Sequence, residues 1–300
     1  MKFYSIAALL TCHNRKEKTI ACLKSLFSSL DYYNDNHDIK ITLKVFLVDD
    51  GCTDGTPDEI KNTFVDMNVI SIIKGNGELF WAGGMRLAWK HALASDKDWN
   101  FYLLLNDDTT IYNDCFDNLF EAHQYSLTEF GKPGIYSGFT CEIGKSEYVT
   151  YGGIIWESKI WAKHRDLTPM GYPQMCDASN ANILLIDSSV VNSTGVFYEG
   201  YQHGYADYDY SMHARKKDIP VIVTAQLCGE CSNDHVTLGE KILEMNYKER
   251  KEYFSKPLHS YKEYLLFFRR NLPFRYPITA MGCLLKMFFP QIYLKIRGLV

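Results

Sequence analysis

No stretch of this 300-residue chain reaches the roughly 18 consecutive apolar residues that a bilayer-spanning helix needs. Its first residues, Met1-Lys2-Phe3, run directly into a strand-like stretch, Ile6–Leu10, without the successive charged, apolar and small-residue regions of a secretory signal. The nine cysteines form no repeating framework, and an odd number cannot all pair, which argues against a secreted disulfide scaffold. Together these absences predict a cytoplasmic protein. Net positive charge is missing as well. The formal charge is −4, which makes no overall case for nucleic-acid binding. No linker, internal repeat or low-complexity stretch divides the chain before about residue 240. What is present is a hydrophobic content of 46%, enough for one large domain, or one domain with an appendage. Aromatics are abundant, 21 Tyr and 17 Phe, which suits carbohydrate or interface contacts.

The first hundred residues alternate strand and helix patterns. Ile6–Leu10 reads as a strand, followed by a helix with Ile20, Leu23, Leu26 and Phe27 on one face. Ile41–Val48 is a second strand, Pro57–Phe64 a helix with proline near its start, and Val69–Ile73 a third strand. A helix over about Gly84–Ala94 and a fourth strand, Phe101–Leu105, complete the series. Such alternation with short connections predicts a parallel sheet covered on both faces. After Asp114 the pattern changes, with strands expected at Ile135–Cys141, Tyr148–Trp156 and Ala181–Ile186. A helix over about Ala206–Lys217 and a strand at Pro220–Ala225 follow.

The apolar strand Phe101–Leu105 ends in Asn106-Asp107-Asp108-Thr109. Open α/β sheets place their ligands at such strand ends, and paired carboxylates are hard oxygen ligands suited to Mg²⁺ or Mn²⁺. The competing reading is that Asp107 and Asp108 cap a helix beginning near Tyr112. A second acidic strand end, Asp49-Asp50-Gly51-Cys52-Thr53-Asp54-Gly55-Thr56, is placed to accept hydrogen bonds from a base or ribose, or else is a polar turn before the next helix. Its spacing fails the calcium-loop pattern, and Thr11-Cys12-His13-Asn14-Arg15 lacks a dinucleotide glycine fingerprint. Between the two strand ends, Gly75-Asn76-Gly77 and Trp81-Ala82-Gly83-Gly84-Met85-Arg86 form a glycine-rich entry to a helix. Backbone amides there can approach a diphosphate, with Arg86 neutralising it and Trp81 stacking on a sugar or base. A structural turn and a half-buried loop Trp are the alternatives. Cys228 and Cys231 have half of a zinc spacing but no second pair, and are expected to be structural.

Five blocks in order carry a family likeness: Ala8-Leu9-Leu10-Thr11-Cys12-His13-Asn14-Arg15, Val48 to Thr56, Gly75-Asn76-Gly77 with Trp81 to Gly84, Leu104 to Thr109, and Asn182 to Ile186 with Gly195-Val196-Phe197 and Tyr205-Ala206-Asp207-Tyr208-Asp209-Tyr210. Over about residues 5 to 225 the chain resembles glycosyltransferase family 2, the inverting, nucleotide-sugar-dependent enzymes with the GT-A fold. The resemblance implies a Rossmann-like, mainly parallel α/β sheet flanked by helices. It implies a GT-A domain over 1–240, with a nucleotide-sugar half (1–115) and a mixed acceptor half (116–240), and a helical extension over 241–300. It further implies a donor site including Thr11, Asn14, Arg15, Asp49, Asp50, Gly83, Gly84 and Asp107, beside Trp81 and Arg86. A DXD-like metal pair falls at Asp107 and Asp108, with Asp108 the direct ligand and Mn²⁺ or Mg²⁺ the cofactor. His235 is a further candidate ligand. Asp207 stands where the family places its catalytic base, with Asp209 the runner-up. Family members usually carry Glu-Asp there, whereas here Ala206 precedes Asp207.

The expected reaction is transfer of a sugar, rhamnose or galactofuranose among the options, from a nucleoside-diphosphate sugar to a glycan or polyprenyl-linked glycan in bacterial cell-surface polysaccharide synthesis. A sugar nucleotidyltransferase and an inactive glycan-binding relative are the rivals. From Lys256 onward the basic residues are Lys256, Lys262, Arg269, Arg270, Arg275, Lys286, Lys295 and Arg297, against Glu263 alone. With Tyr264–Arg270 and Leu284–Phe289 both apolar and basic, residues 256–300 are expected to lie as in-plane helices on the anionic inner leaflet of the membrane, or to cap the core.

Overall fold

The computed structural model describes residues 3–64, 66–95, 97–233 and 241–296. The first half alternates as expected: β1 (Phe3–Cys12), α1 (Lys16–Asn36), β2 (Lys40–Asp49), α2 (Thr56–Thr63), β3 (Ile70–Lys74), α3 (Phe80–Leu93) and β4 (Phe101–Leu105). β1 pairs in parallel with β2 and with β4, and β2 with β3. Alternate residues of β1 therefore serve opposite layers. Ala7 and Leu9 join the core under α3, while Ile6, Ala8 and Leu10 join the one under α1 and α4. All five are fully buried, which accounts for the continuous apolar run.

The second half contains β5 (Thr110–Ile111), α4 (Cys115–Phe130), β6 (Ile135–Glu142), β7 (Lys145–Tyr151), β8 (Gly153–Ser158), β9 (Lys163–Asp166), β10 (Gln174–Met175), β11 (Ala178–Ser179), β12 (Ile183–Asp187), α5 (Ser188–Thr194), α6 (Ala206–Lys216) and β13 (Val221–Glu230). The large sheet runs β10-β13-β6-β12-β4-β1-β2-β3, with β5 on β13 and β7 on β6. β12 is antiparallel to both β4 and β6, so the sheet becomes mixed in its second half. The strand expected over Tyr148–Trp156 is two strands in different sheets. Asn180 takes both backbone groups of Gly152 between them, and β8 goes on to pair with β9 and β11. The helix expected near Tyr112 is α4, which starts only at Cys115 with Asp114 flanking it, so Asp107 and Asp108 cap nothing there.

α7 (Lys241–Glu244), α8 (Tyr247–Tyr253), α9 (Tyr261–Asn271), α10 (Tyr276–Phe288) and α11 (Pro290–Ile296) close the chain. α9 is built into the domain, because Phe267, Phe268 and Leu272 belong to the same core as Trp89 and Phe197. The expectation of an in-plane helix over Tyr264–Arg270 is thereby corrected: its apolar face is spent on the core. The outer faces of α10 and α11 remain open, with Met281, Leu284, Phe288 and Ile292 each about half exposed. No helix among the described residues is long and apolar enough to cross a membrane.

Candidate active site

Parallel register brings the C-terminal ends of β1, β2 and β4 to one edge. The Asp50 amide donates to the Cys12 carbonyl (3.0 Å) and the Gly75 amide to Asp49 (2.7 Å), so the strands stay joined to that edge. There Asp49 and Asp50 part company. Asp50 is buried, and its two oxygens accept the amides of Gly77 (2.8 Å), Leu79 (2.9 Å) and Phe80 (3.1 Å). It therefore shapes the glycine-rich turn into α3. Asp49 lies half-buried at the edge, with Oδ1 on the Cys52 amide (2.7 Å). Asn14 accepts the Thr53 amide (2.7 Å), holding the 51–54 turn against β1.

Gly84 exists for close approach. A Cβ there would come within 2.7 Å of the Thr11 Cβ, so α3 rests directly on the buried end of β1. Several amides of the helix entry are already occupied. Those of Ala82 and Gly83 are taken by the Gln202 carbonyl (2.9 and 3.2 Å). Arg86 likewise turns away from the expected diphosphate position and donates to the carbonyls of Tyr201 (2.6 Å) and Tyr198 (3.2 Å). Both expectations for this segment are corrected: the entry of α3 and Arg86 hold the 198–202 loop. Trp81 packs on Phe197, and its indole N–H donates to the Asn106 side chain (2.7 Å), which steadies the residue preceding the acidic pair.

Asp107 and Asp108 meet a guanidinium. Arg15 donates to Asp108 Oδ2 (2.6 Å) and lies 3.4 Å from Asp107 Oδ1. The Thr19 hydroxyl donates to Asp107 Oδ2 (3.2 Å), and the Cys231 thiol lies 3.7 Å from Asp108 Oδ1. Burial pushes the Asp107 carboxyl up to about 6 against the pull of Arg15. Burial also pushes the Cys231 thiol up to about 12, so it borders the pair as a neutral group. His235 lies outside the described residues.

Asp207 and Asp209 sit on the first turn of α6 and face different ways. Asp207 accepts the amides of Ala181 (3.2 Å) and Tyr208 (2.9 Å), and among the described residues forms no salt bridge. Burial pushes its carboxyl up to about 6, from an ordinary 3.8. Asp209 is 3% exposed and saturated. It takes a two-pronged grip from Arg270 (2.9 and 3.1 Å), the Asn271 amide (2.6 Å) and the Tyr201 hydroxyl (3.0 Å). The runner-up assignment is thus corrected: Asp209 ties α6 to α9. Glu263, the lone acid of the basic segment, turns inward and accepts the amides of His203 and Gly204 (both 3.1 Å) just before α6.

The acidic pair and Asp207 are held by neighbouring peptides. Asn182 accepts the Asn106 amide (3.1 Å), and Ala181 donates to Asp207. Sequence reasoning missed Thr19, Ala181, Asn182 and the clamp on Asp209. For Ala181 the available signal was the expected strand over Ala181–Ile186, and for Asn182 also its place in the fifth family-like block.

The family model "Glycosyl transferase family 2" matches residues 8–190. No curated protein matches the chain. Among solved structures the chain is similar to the mannosyltransferase PcManGT from Pyrobaculum calidifontis in complex with GDP-Man and Mn²⁺. The identity is 12% and the TM-score 0.53, over 98% of this chain and 79% of that one. It is also similar to S. aureus TarS 1–349, at 13% identity and a TM-score of 0.47 over 86% of this chain and 68% of that one. At such identities the likeness concerns the fold.

Proposed function

The chain belongs to glycosyl transferase family 2 and has the GT-A fold, and from that premise we propose an inverting transfer with Asp207 as base and Asp107 and Asp108 at a divalent cation. The donor is a nucleoside-diphosphate sugar, and the acceptor a glycan or lipid-linked glycan of a cell-surface polysaccharide. The observation that carries this reading is the pair of neighbouring peptides, Ala181 and Asn182, holding the base and the acidic strand end together. Inverting transfer needs that proximity: one carboxylate takes the acceptor proton while the departing diphosphate is stabilised on the other side of the same anomeric carbon.

The acidic pair fits a hard cation, since two adjacent carboxylates draw in the guanidinium of Arg15. Among the described residues no cluster of three His, Cys, Asp or Glu is placed to hold a metal. Asp107 and Asp108 would hold the ion, and Mg²⁺ or Mn²⁺ would take oxygens of the substrate diphosphate and water as further ligands. Such an ion, when bound, neutralises charge developing on the leaving diphosphate. Arg15 is the guanidinium within reach of the same group. Asp49 and Thr11 contact the nucleoside, while Asp50, Asn14 and Gly84 build the walls. Asp207, with no cationic partner among the described residues and with its carboxyl raised toward neutrality, suits a base that must gain and lose a proton near pH 7. The open faces of α10 and α11, with the exposed Lys295, fit contact with an anionic bilayer surface.

A thermal-shift screen of nucleoside-diphosphate sugars with and without MnCl₂ tests the donor assignment. One donor with Mn²⁺ should raise the melting temperature, and Asp108→Asn should abolish the gain. Equal stabilisation without the ion, or release of pyrophosphate in place of a nucleoside diphosphate, would sink the reading.

A further inference from the structure

At the N-terminal end of α6 lies a cleft of about 980 Å³, walled by the β8–β9 hairpin on one side and by α9, α10 and α11 on the other. Its volume is at the upper end of small-molecule sites. Tyr205, just before α6, and Tyr208, on its first turn, form part of its lining, so the cleft reaches the helix turn that carries Asp207. Trp156 and Trp161 line the hairpin side, and the Trp156 amide is fastened to Asp177 Oδ2 (2.8 Å). The lining has more apolar than polar surface and contains no Asp, Glu, Asn or Gln, the side chains that usually bind sugar hydroxyls. Its full charges are both positive. Arg275 lies 5.9 Å from the Trp161 ring, and Lys286 lies 5.0 Å from Phe254 and 5.7 Å from Tyr293. Ile278, Met281 and Ile296, 46%, 58% and 69% exposed, carry the apolar lining out to the open face of α10 and α11.

We infer that this cleft holds the lipid part of the acceptor, an apolar chain ending in a phosphate or diphosphate, with Arg275 and Lys286 receiving the anionic head. The inference rests on the glycosyl-transfer reading and chooses between its two acceptor classes. A free glycan would meet tyrosine hydroxyls but no carboxylate or carboxamide in the lining, whereas an anionic amphiphile matches both the apolar walls and the sign of the charges. Entry along the open face of α10 and α11 then brings the first sugar on that phosphate toward Asp207.

Farnesyl phosphate is a suitable probe, because Trp156 and Trp161 report on cleft occupancy through their fluorescence. Titrated below its micellar concentration into the full chain without donor, it should perturb the emission saturably. Farnesol should bind at least about tenfold more weakly, and inorganic diphosphate should leave the emission unchanged. Gly282→Leu supplies the blocking variant. A Cβ at Gly282 meets only Tyr293, at 3.8 Å, and leucine is the better helix former, so folding is preserved while the side chain grows into the cleft. It should weaken farnesyl phosphate at least tenfold and leave Mn²⁺-dependent donor stabilisation unchanged. Unsaturable quenching, equal binding to Gly282→Leu, or displacement of the probe by a soluble oligosaccharide would overturn the inference. Donor stabilisation is scored separately, so a failure of the glycosyl-transfer reading is distinguishable from a failure of the lipid cleft.

Discussion

Asp207→Asn removes both a charge that folding has to bury and the base proposed for transfer, so activity and stability should move in opposite directions. In the unfolded chain the carboxyl ionises near its ordinary 3.8, but burial in the folded protein pushes it up to about 6. A raised carboxyl means that the folded state resists ionisation. Stability contributed by this group is therefore complete at low pH, declines between about pH 4 and 6, and stays lost above about pH 7. The gap of about two pH units corresponds to about 3 kcal/mol. Asparagine avoids that cost but has one acceptor oxygen for two amides, those of Ala181 and Tyr208, and loses about 1 kcal/mol in exchange. A net gain of about 1–2 kcal/mol at pH 8 should appear as a melting temperature higher by about 2–3 °C. That gain should shrink as the pH is lowered toward 4. Turnover, followed by acceptor-dependent release of nucleoside diphosphate, should fall about 10²- to 10⁴-fold. In the wild-type enzyme it should drop about tenfold per pH unit below about 6. A variant that melts lower at pH 8, or one that keeps wild-type transfer, would refute the reasoning.

Arg270→Ala leaves Asp209 buried without its cation. Because Arg270 is itself 30% exposed, the cost should be about 2–4 kcal/mol in denaturant unfolding, with lysine a poor replacement for the two-pronged grip; an unchanged midpoint would count against the clamp. Gly84→Ala forces its methyl into Thr11 and should cost about 1–3 kcal/mol while weakening donor binding, and a neutral substitution would contradict the close approach. Arg15→Gln should tighten Mn²⁺ binding measured calorimetrically without donor, since no guanidinium need be displaced from Asp107 and Asp108. The same variant should weaken the donor by about tenfold, and weaker Mn²⁺ binding would be the contrary result.

The parallel half of the fold was legible because its signals are local. Phe101–Leu105 matches its strand residue for residue, and the expected strands over Ile41–Val48 and Val69–Ile73 fall on β2 and β3. The acidic strand ends followed from the same pattern, since parallel strands deliver their C-termini to one edge. What stayed hidden depends on partners far along the chain. Nothing near Arg86 announces that its guanidinium will meet the carbonyls of Tyr198 and Tyr201, and nothing near Asp209 announces Arg270. Two carboxylates two residues apart on one helix look alike in sequence, yet one faces the Ala181 peptide and the other a buried clamp. Tyr264–Arg270 misled for the same reason. An amphipathic basic helix reads alike whether its apolar face meets lipid or Trp89 and Phe197.

Assigning base work to Asp207 alone, with Asp107 and Asp108 on the leaving group, makes the reaction a single displacement at the anomeric carbon. Its stereochemistry is open to direct measurement by NMR of the product formed from an α-linked nucleoside-diphosphate sugar. A β-linked product, with the anomeric proton coupling inverted relative to the donor, is the predicted result. An α-linked product would contradict the division of labour, because a hydroxyl activated by Asp207 and attacking opposite the departing diphosphate inverts the anomeric centre.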